Sequence, residues 1–274
     1  GGSLALALKK AQYCKTIVGS SRDEKHLQRA IELGVIDHYE LDPIAAVKGA
    51  DMILLAVPMR AMPIILEKIS DHIEEGTIIT DAGSAKGSII SAARKAFKGS
   101  LPKNFVAGHP IAGREKSSVE AAISDLYIDH KVVLTPTEET SSKAIKRVKS
   151  MWEKTGAIVE TLPVKQHDDV LAATSHLPHL LAFSLVNTLS KSEYGDAVFD
   201  YAAGGFKSFS RIASSDPIMW RDICLENKTA ILSSLQYFQR DLTALTTAIE
   251  EEKISELETI FTHAKATRDA NIKD

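Results

Sequence analysis

The 274-residue sequence predicts an α/β fold: a mainly parallel sheet with helices on both faces over residues 1–162, then an all-helical domain over 163–274. Three observations predict it. The run Met52–Val57 is six apolar residues without alternation, ended by Pro58, as in a parallel strand buried on both faces. Up to residue 162, short apolar runs alternate with helical patterns of 10–15 residues. After Pro163 the strand signals nearly vanish.

Taken in order, residues 3–13 (SLALALKKAQY) read as a helix, because Ala, Leu and Lys are good helix formers. TIVG at 16–19 is a short strand, and 22–33 is an amphipathic helix stopped by Gly34. A helix at 60–72 follows the 52–57 strand. TIITDAG at 77–83 is a strand and 85–97 a helix. NFVAG at 104–108 is a strand ending at His109-Pro110, and HKVVLTP at 130–136 another, stopped by Pro136. A helix at 140–155 leads to the strand AIVETL at 157–162. Residues 166–190 are helical with Pro178 as a kink or break. Residues 193–204 are helical or looped, and Asp216-Pro217 starts another helix. Residues 218–246 form one long apolar-periodic stretch, and 247–266 are mostly helical, with a fraying tail. Surplus Leu, Ile and Phe on the last helices predict a homodimer formed through them.

Composition excludes several classes. Lys+Arg 33 against Asp+Glu 36 gives a net charge of −3, so no basic field points to nucleic acid or an anionic membrane. Two cysteines, Cys14 and Cys224, supply neither a disulfide framework nor a four-Cys zinc site, and suit reduced thiols in the cytoplasm. No uninterrupted apolar run approaches the roughly 18 residues of a membrane span, and no signal segment is visible.

Ligands of open parallel sheets bind beyond the carboxyl ends of the strands. Three polar groups sit there: Asp81-Ala-Gly-Ser84, Gly108-His109-Pro110, and Ser20-Ser21-Arg22. Ser84 also reads as a helix cap, and His109 before proline as a loop closure. The glycine signal for a dinucleotide is incomplete, since only Gly1 and Gly2 precede the first helix. Where an NAD site usually places Asp or Glu, Arg22 stands with two serines, which suits a 2′-phosphate; Asp23 is one step further. NAD and NADP stay equally open, as does an ordinary solvated helix start.

Four strings, DAGSAKG at 81–87, GHPIAG at 108–113, ATSHLPH at 173–179 and GGFKSFSRIASSDPIMW at 204–220, carry a family resemblance over essentially the whole chain. The sequence resembles the prephenate/arogenate (cyclohexadienyl) dehydrogenase family of tyrosine biosynthesis. The resemblance implies a Rossmann-like domain, a helical dimerisation domain, and oxidative decarboxylation of prephenate, arogenate or both with NAD or NADP. It departs at the start. Family members open with a strand and G-x-G-L-I-G before GGS, so Gly1 matches the third fingerprint glycine. The first strand and the start of the loop are missing, and about a dozen further native residues are expected, because a sheet lacking an inner strand leaves backbone groups unpaired.

Residue by residue, the resemblance makes His109 the catalytic histidine facing the substrate hydroxyl, and Ser84 the serine that hydrogen-bonds both. Arg211 matches the arginine that binds the ring carboxylate, and its planar fork suits a bidentate contact. Lys207 shapes the same anionic pocket or faces solvent. His176 and His179, three apart on a helix, share a face; the resemblance assigns them to substrate, especially His179, with core packing the alternative for His176 and no metal expected. Glu115 matches an entrance glutamate. Arg114 stands where an acidic residue looks associated with arogenate use, so its positive charge favours prephenate over arogenate's ammonium. The dinucleotide is expected along Gly1, Gly2, Ser20, Ser21, Arg22 and the strand end Val57-Pro58. Against a β-hydroxyacid-type dehydrogenase stand the SHLPH and SRIASSDP strings. Against a non-catalytic dinucleotide-sensing dimer stand His109, Ser84 and Arg211.

Overall fold

Met52, Ile53, Leu54 and Leu55 send their side chains alternately to two apolar layers, because successive residues of a strand point to opposite faces. This is the organising feature of the computed structural model, which describes residues 1–113 and 118–272. The strands are β1 (Val18–Ser20), β2 (His38–Glu40), β3 (Met52–Leu55), β4 (Ile78–Asp81), β5 (Phe105–Val106), β6 (Gly108–Pro110), β7 (Lys131–Leu134) and β8 (Ile158–Thr161). The helices are α1 (Gly2–Lys10), α2 (Glu24–Glu32), α3 (Pro43–Val47), α4 (Met62–Ile69), α5 (Lys86–Ala96) and α6 (Ser142–Glu153), then α7 (Val164–Leu171), α8 (Leu177–Ser190), α9 (Gly204–Ser210), α10 (Pro217–Glu226), α11 (Lys228–Glu250) and α12 (Ile254–Asn271).

The fold is an N-terminal Rossmann-like parallel sheet-and-helix domain followed by helices. β1 pairs with β2 and β3-β4-β5 pair in that order, all parallel; β6 runs antiparallel to β7, which is parallel to β8. Ile53, Leu55, Ile79 and Phe105 pack under α4 and α5 through Met62, Leu66, Ile69, Ile89 and Ala93. On the other face, Ile78, Val106, Val132 and Leu134 meet Leu4 and Leu8 of α1 and Val148, Met151 and Trp152 of α6. Each such side chain contributes roughly 1.5–3 kcal/mol through its removal from water. Trp152 also meets the Tyr127 ring edge-on at 5.1 Å.

Local chemistry sets the helix starts. Asp23 accepts from the His26 amide (3.2 Å), Ser141 from Ala144 (3.2 Å) and Asp216 from Ile218 (2.7 Å), the last with Pro217 in the first turn.

The structure corrects four expectations. The strand expected at 104–108 divides at Ala107, so that β5 stays with β4 while β6 turns to β7; His109 therefore lies within a strand rather than beyond one. β2 and α3, unannounced in the sequence, occupy a short exposed strand and a five-residue helix capped by Asp42. The stretch 218–246 is two helices, interrupted at Asn227. Finally, α7 and α8 join through a π-turn at Ala172–His176 into Val164–Ser190, a 27-residue helical run long and apolar enough by length and composition to cross a membrane. Its charged residues interrupt the apolar pattern in sequence but not the helix, and Asp168 on it binds the amides that open α5.

Backbone contacts divide the chain into compact units Gly1–Lys228 and Thr229–Asp274. The second holds the rest of α11 and α12, joined by a turn in which Glu252 adopts φ 49° and the Lys253 amide reaches the Ala248 carbonyl at 2.9 Å. Its helices expose Leu232, Tyr237, Leu242, Ile249, Ile254 and Phe261. Both cysteines are free thiols.

Candidate active site

β4 ends at Asp81, which is fully buried. Its carboxylate accepts from the amides of Gly83 (2.8 Å) and Gly108 (3.0 Å) and pairs with the equally buried Lys86 of α5. Lys86 Nζ also donates to the Gly108 carbonyl at 2.6 Å. Burial pulls the Lys86 ammonium below its ordinary pKa, and Asp81 opposes that. Gly108 lets the chain pass close to β4: a Cβ would lie 3.2 Å from the Asp81 carbonyl oxygen and 3.2 Å from Leu134, a tight fit on both sides. This buried cross-tie sets the position of the next residue, His109.

The His109 ring is buried, and its Nδ1 lies 2.9 Å from Nε2 of His167 on α7. His167 Nδ1 lies 2.8 Å from Asp168 Oδ1. Asp168 also accepts from the amides of Lys86 and Gly87, both at 2.8 Å, and so caps α5, whose own N-cap, Ala85, has no side chain to do it. Burial works against the Asp168 carboxylate, but the hydrogen bonds from His167, Lys86 and Gly87 outweigh it and hold its pKa below the ordinary value. Burial pushes the His109 imidazole well below its usual pKa, with Lys86, His167 and His176 adding to the effect. It is therefore neutral and able to accept a proton.

The π-turn matters to this geometry. Residues 167 and 176 would face about 180° apart on an ideal α-helix, and 167 and 179 about 120°. Absorbing one extra residue reduces these to roughly 80° and 20°, bringing the three histidines toward one side. Pro178, lacking an amide hydrogen, follows directly, so the helix continues through the expected break. His176 Nδ1 accepts from Asn227 Nδ2 at 3.2 Å, and the same amide donates to the Asp168 carbonyl at 2.9 Å. His179 Nδ1 donates to the Ser175 carbonyl (2.9 Å), and its ring stacks on Trp220 at 3.9 Å. Burial lowers the His179 pKa, the Ser175 carbonyl opposes this, and the Arg211 guanidinium adds to it.

Burial, helped by His167, brings the His176 pKa down to about 4. The unfolded chain therefore binds more protons than the folded one below about pH 6.5, and stability falls as pH drops from there toward 4. A loss on the order of 3 kcal/mol is expected across that window, read as a falling urea midpoint, and His176→Asn should flatten the dependence.

The other expected residues divide. Arg211 opens the single-turn segment Arg211–Ser214, directly after α9, with Lys207 exposed one turn earlier. Ser84 sits in the turn between β4 and α5, and His109 Nδ1 is held by His167 rather than by Ser84. Gly1 and Gly2 begin α1, where a Cβ on Gly1 would come within 3.1 Å of Ala56, next to Val57 and Pro58. Ser20 ends β1; Ser21 Oγ accepts from the Asp23 amide, Arg22 is exposed, and among the described residues no hydrogen bond joins these three to the histidine cluster. Arg114 and Glu115 lie outside the described residues. Asp81 stood among the polar groups expected at strand ends, and Lys86 and Trp220 lie within the strings DAGSAKG and GGFKSFSRIASSDPIMW, but none of the three was assigned a role; His167, Asp168 and Asn227 were not anticipated.

Residues 4–161 match the family model for the nucleotide-binding domain of prephenate dehydrogenase, and residues 163–263 match its dimerization domain. The chain belongs to the prephenate dehydrogenase family. It is 37% identical over 256 residues to the cyclohexadienyl dehydrogenase of Zymomonas mobilis, covering 92% of this chain and 86% of that one. It is 37% identical over 273 residues to the prephenate dehydrogenase of Bacillus subtilis, covering 98% and 72%. The crystal structure of Aquifex aeolicus prephenate dehydrogenase with hydroxyphenyl propionate and NAD+ superposes with a TM-score of 0.90 at 38% identity, covering 98% and 93%. The family's two domains meet at residue 162, whereas α7, α8, α9 and α10 fold into the first compact unit.

Proposed function

We propose that this protein is a prephenate dehydrogenase, converting prephenate to 4-hydroxyphenylpyruvate and CO2 in tyrosine biosynthesis. The observation that carries the proposal is the His109 imidazole: buried, neutral, held through Nδ1, and with Nε2 hydrogen-bonded to nothing among the described residues. Prephenate is a dianion whose ring becomes aromatic when hydride leaves the hydroxyl-bearing carbon and the opposite carbon loses its carboxylate as CO2. Bound NAD(P)+ supplies the hydride acceptor. The electron pair of the broken carbon–carboxylate bond enters the ring. No net proton is released, since the product keeps a phenolic hydroxyl.

His109 therefore needs only to draw the hydroxyl proton as the carbonyl character develops, then return it to the phenolate. A low-pKa imidazole suits that exchange, because it remains neutral and does not retain the proton. Ser84, in the turn beside it, orients the hydroxyl. Arg211 and His179 hold the carboxylates, with Lys207 contributing charge and His176 lining the pocket. Gly1 and Gly2 fit a dinucleotide: a Cβ on Gly1 would crowd Ala56 and one on Gly2 would crowd Ala122, both at 3.1 Å, and helix amides at the start of α1 suit a pyrophosphate. Val57 and Pro58 border it, and Ser20, Ser21 and Arg22 take the ribose or its 2′-phosphate.

Activity with arogenate as well is the second reading, favoured by the cyclohexadienyl dehydrogenase of Zymomonas mobilis among the relatives. A two-by-two comparison at 340 nm, prephenate or arogenate with NAD+ or NADP+, tests both. Prephenate turnover with at least one cofactor is expected; no absorbance change with prephenate under either cofactor defeats the proposal. Arg211→Ala should weaken transition-state binding of prephenate by roughly 2–5 kcal/mol in kcat/KM, and unchanged kcat/KM removes Arg211 from the site.

The same reading makes the protein a cytoplasmic homodimer. The exposed Leu232, Tyr237, Leu242, Ile249 and Phe261 on α11 and α12 support burial against a second copy. Light scattering at micromolar concentration should give twice the 29.8 kDa chain mass.

A further inference from the structure

We infer that His167 and Asp168 are positioning residues that dictate which nitrogen of His109 carries its proton. The inference rests on the proposed reaction for its kinetic consequences, but its structural content stands by itself.

Donors and acceptors fix the arrangement. An ionised carboxylate only accepts. Asp168 Oδ1 receives the Lys86 amide and Oδ2 the Gly87 amide, so the 2.8 Å contact from Oδ1 to His167 Nδ1 requires a proton on that nitrogen. In the neutral form of His167 the lone pair is then on Nε2. The contact of 2.9 Å from there to His109 Nδ1 requires that His109 donate. Neutral His109 is left with its lone pair on Nε2, the nitrogen that no protein group among the described residues engages. With both rings neutral, any other arrangement sets two lone pairs or two N–H groups against each other inside the core.

His176, the third buried histidine, is held separately, its Nδ1 accepting from Asn227. Asp168 also caps α5, and thereby fixes the turn that carries Ser84. One carboxylate thus sets the tautomer of His109 and the start of the helix beside it. The logic is that of an Asp–His pair in a hydrolase triad, with a second imidazole in place of the nucleophile.

Three variants separate this from packing. His167→Leu fills the space but accepts nothing, and should lower kcat for prephenate by roughly 10²–10⁴-fold, with KM and dinucleotide affinity changed less than about three-fold. His167→Gln can accept from His109 through its carbonyl and donate to Asp168 through its amide, and should recover kcat to within about ten-fold of wild type. Asp168→Ala removes the acceptor that holds the proton on His167 Nδ1, so nothing fixes either ring, and should lower kcat as His167→Leu does. Equal losses in the Leu and Gln variants, a Leu variant within about three-fold of wild type, or an effect confined to KM overturns the inference.

Nitrogen-15 NMR of the histidine rings, with His109 assigned by its loss in His109→Asn, reads the tautomer directly. Wild type should show the proton on Nδ1 and a bare Nε2; a proton on Nε2 overturns the inference. Asp168→Ala should leave the two tautomers mixed, and the His167 pair carries the test should that variant not fold. Should wild-type protein fail to oxidise prephenate, the proposed function falls while the NMR result still decides the relay.

Discussion

Replacing His109 by alanine is expected to lower kcat for prephenate oxidation by roughly 10²–10⁴-fold while leaving the dissociation constant for NAD+ or NADP+ within about three-fold of wild type. The split follows from position. His109 lies within β6, tied through Gly108 to the Asp81–Lys86 pair, whereas the site proposed for the dinucleotide is at the start of α1 and the ends of β1 and β3. The change also leaves His167 without its partner, but His167 keeps Asp168, and the buried cross-tie is untouched. The pH profile gives a second readout. Burial holds the His109 pKa well below 6.5, so kcat/KM for the free enzyme should stay level as pH falls through 6.5 and decline only at lower values. A variant that turns over at near wild-type rate displaces His109 from the chemistry, as does an acid limb at or above pH 6.5 that disappears in another histidine variant.

The second large effect is on stability. Lys86→Met keeps the length of the side chain and removes its charge from a site with no exposed surface. Asp81 is then a buried carboxylate with two amide donors and no cation, and the Gly108 carbonyl loses its donor. Breaking a buried pair in this way costs about 3–5 kcal/mol. At this chain length that corresponds to a fall of roughly 10 °C in Tm. The double variant Asp81→Asn/Lys86→Met, with no charge left uncompensated, should be more stable than Lys86→Met alone. Calorimetry of the single and double variants checks both points; an unchanged Tm for Lys86→Met contradicts the description of the pair. Because Gly108 adjoins His109, a loosened Gly108 should also lower kcat.

Much of the fold is legible in the sequence because its signals are local. The run at 52–57 announces a strand buried on both faces, and Asp216-Pro217 announces a helix start that the structure places there. β2 is different: His38, Tyr39 and Glu40 form a strand through backbone pairing with β1, and no apolar pattern marks it. The apolar periodicity of 218–246 hid the break at Asn227, whose amide binds the Asp168 carbonyl and His176. Nothing in a linear pattern shows a partner 59 residues away.

The site divides along the same line. His109 and Ser84 stand out because histidine and serine sit beside glycine and proline at strand ends, and the strings around them carry the family resemblance. Lys86 reads as one more polar residue at a helix start; only the structure shows it fully buried against Asp81. His167 and Asp168 are likewise ordinary on an amphipathic helix until α7 packs on α5 and the carboxylate meets amides 82 and 81 residues earlier in the chain. The π-turn, which brings the histidines of α7 and α8 toward one side, has no sequence mark beyond Pro178 following it.

The proposed reaction couples hydride removal to loss of the ring carboxylate from a single dianion. Incubating the protein with prephenate labelled in the ring carboxylate and the cofactor it prefers, then measuring released CO2 and reduced cofactor together, tests it most directly. Equal molar amounts of the two, with 4-hydroxyphenylpyruvate as the organic product, are predicted. Reduced cofactor without CO2, or neither product at any cofactor, would contradict it.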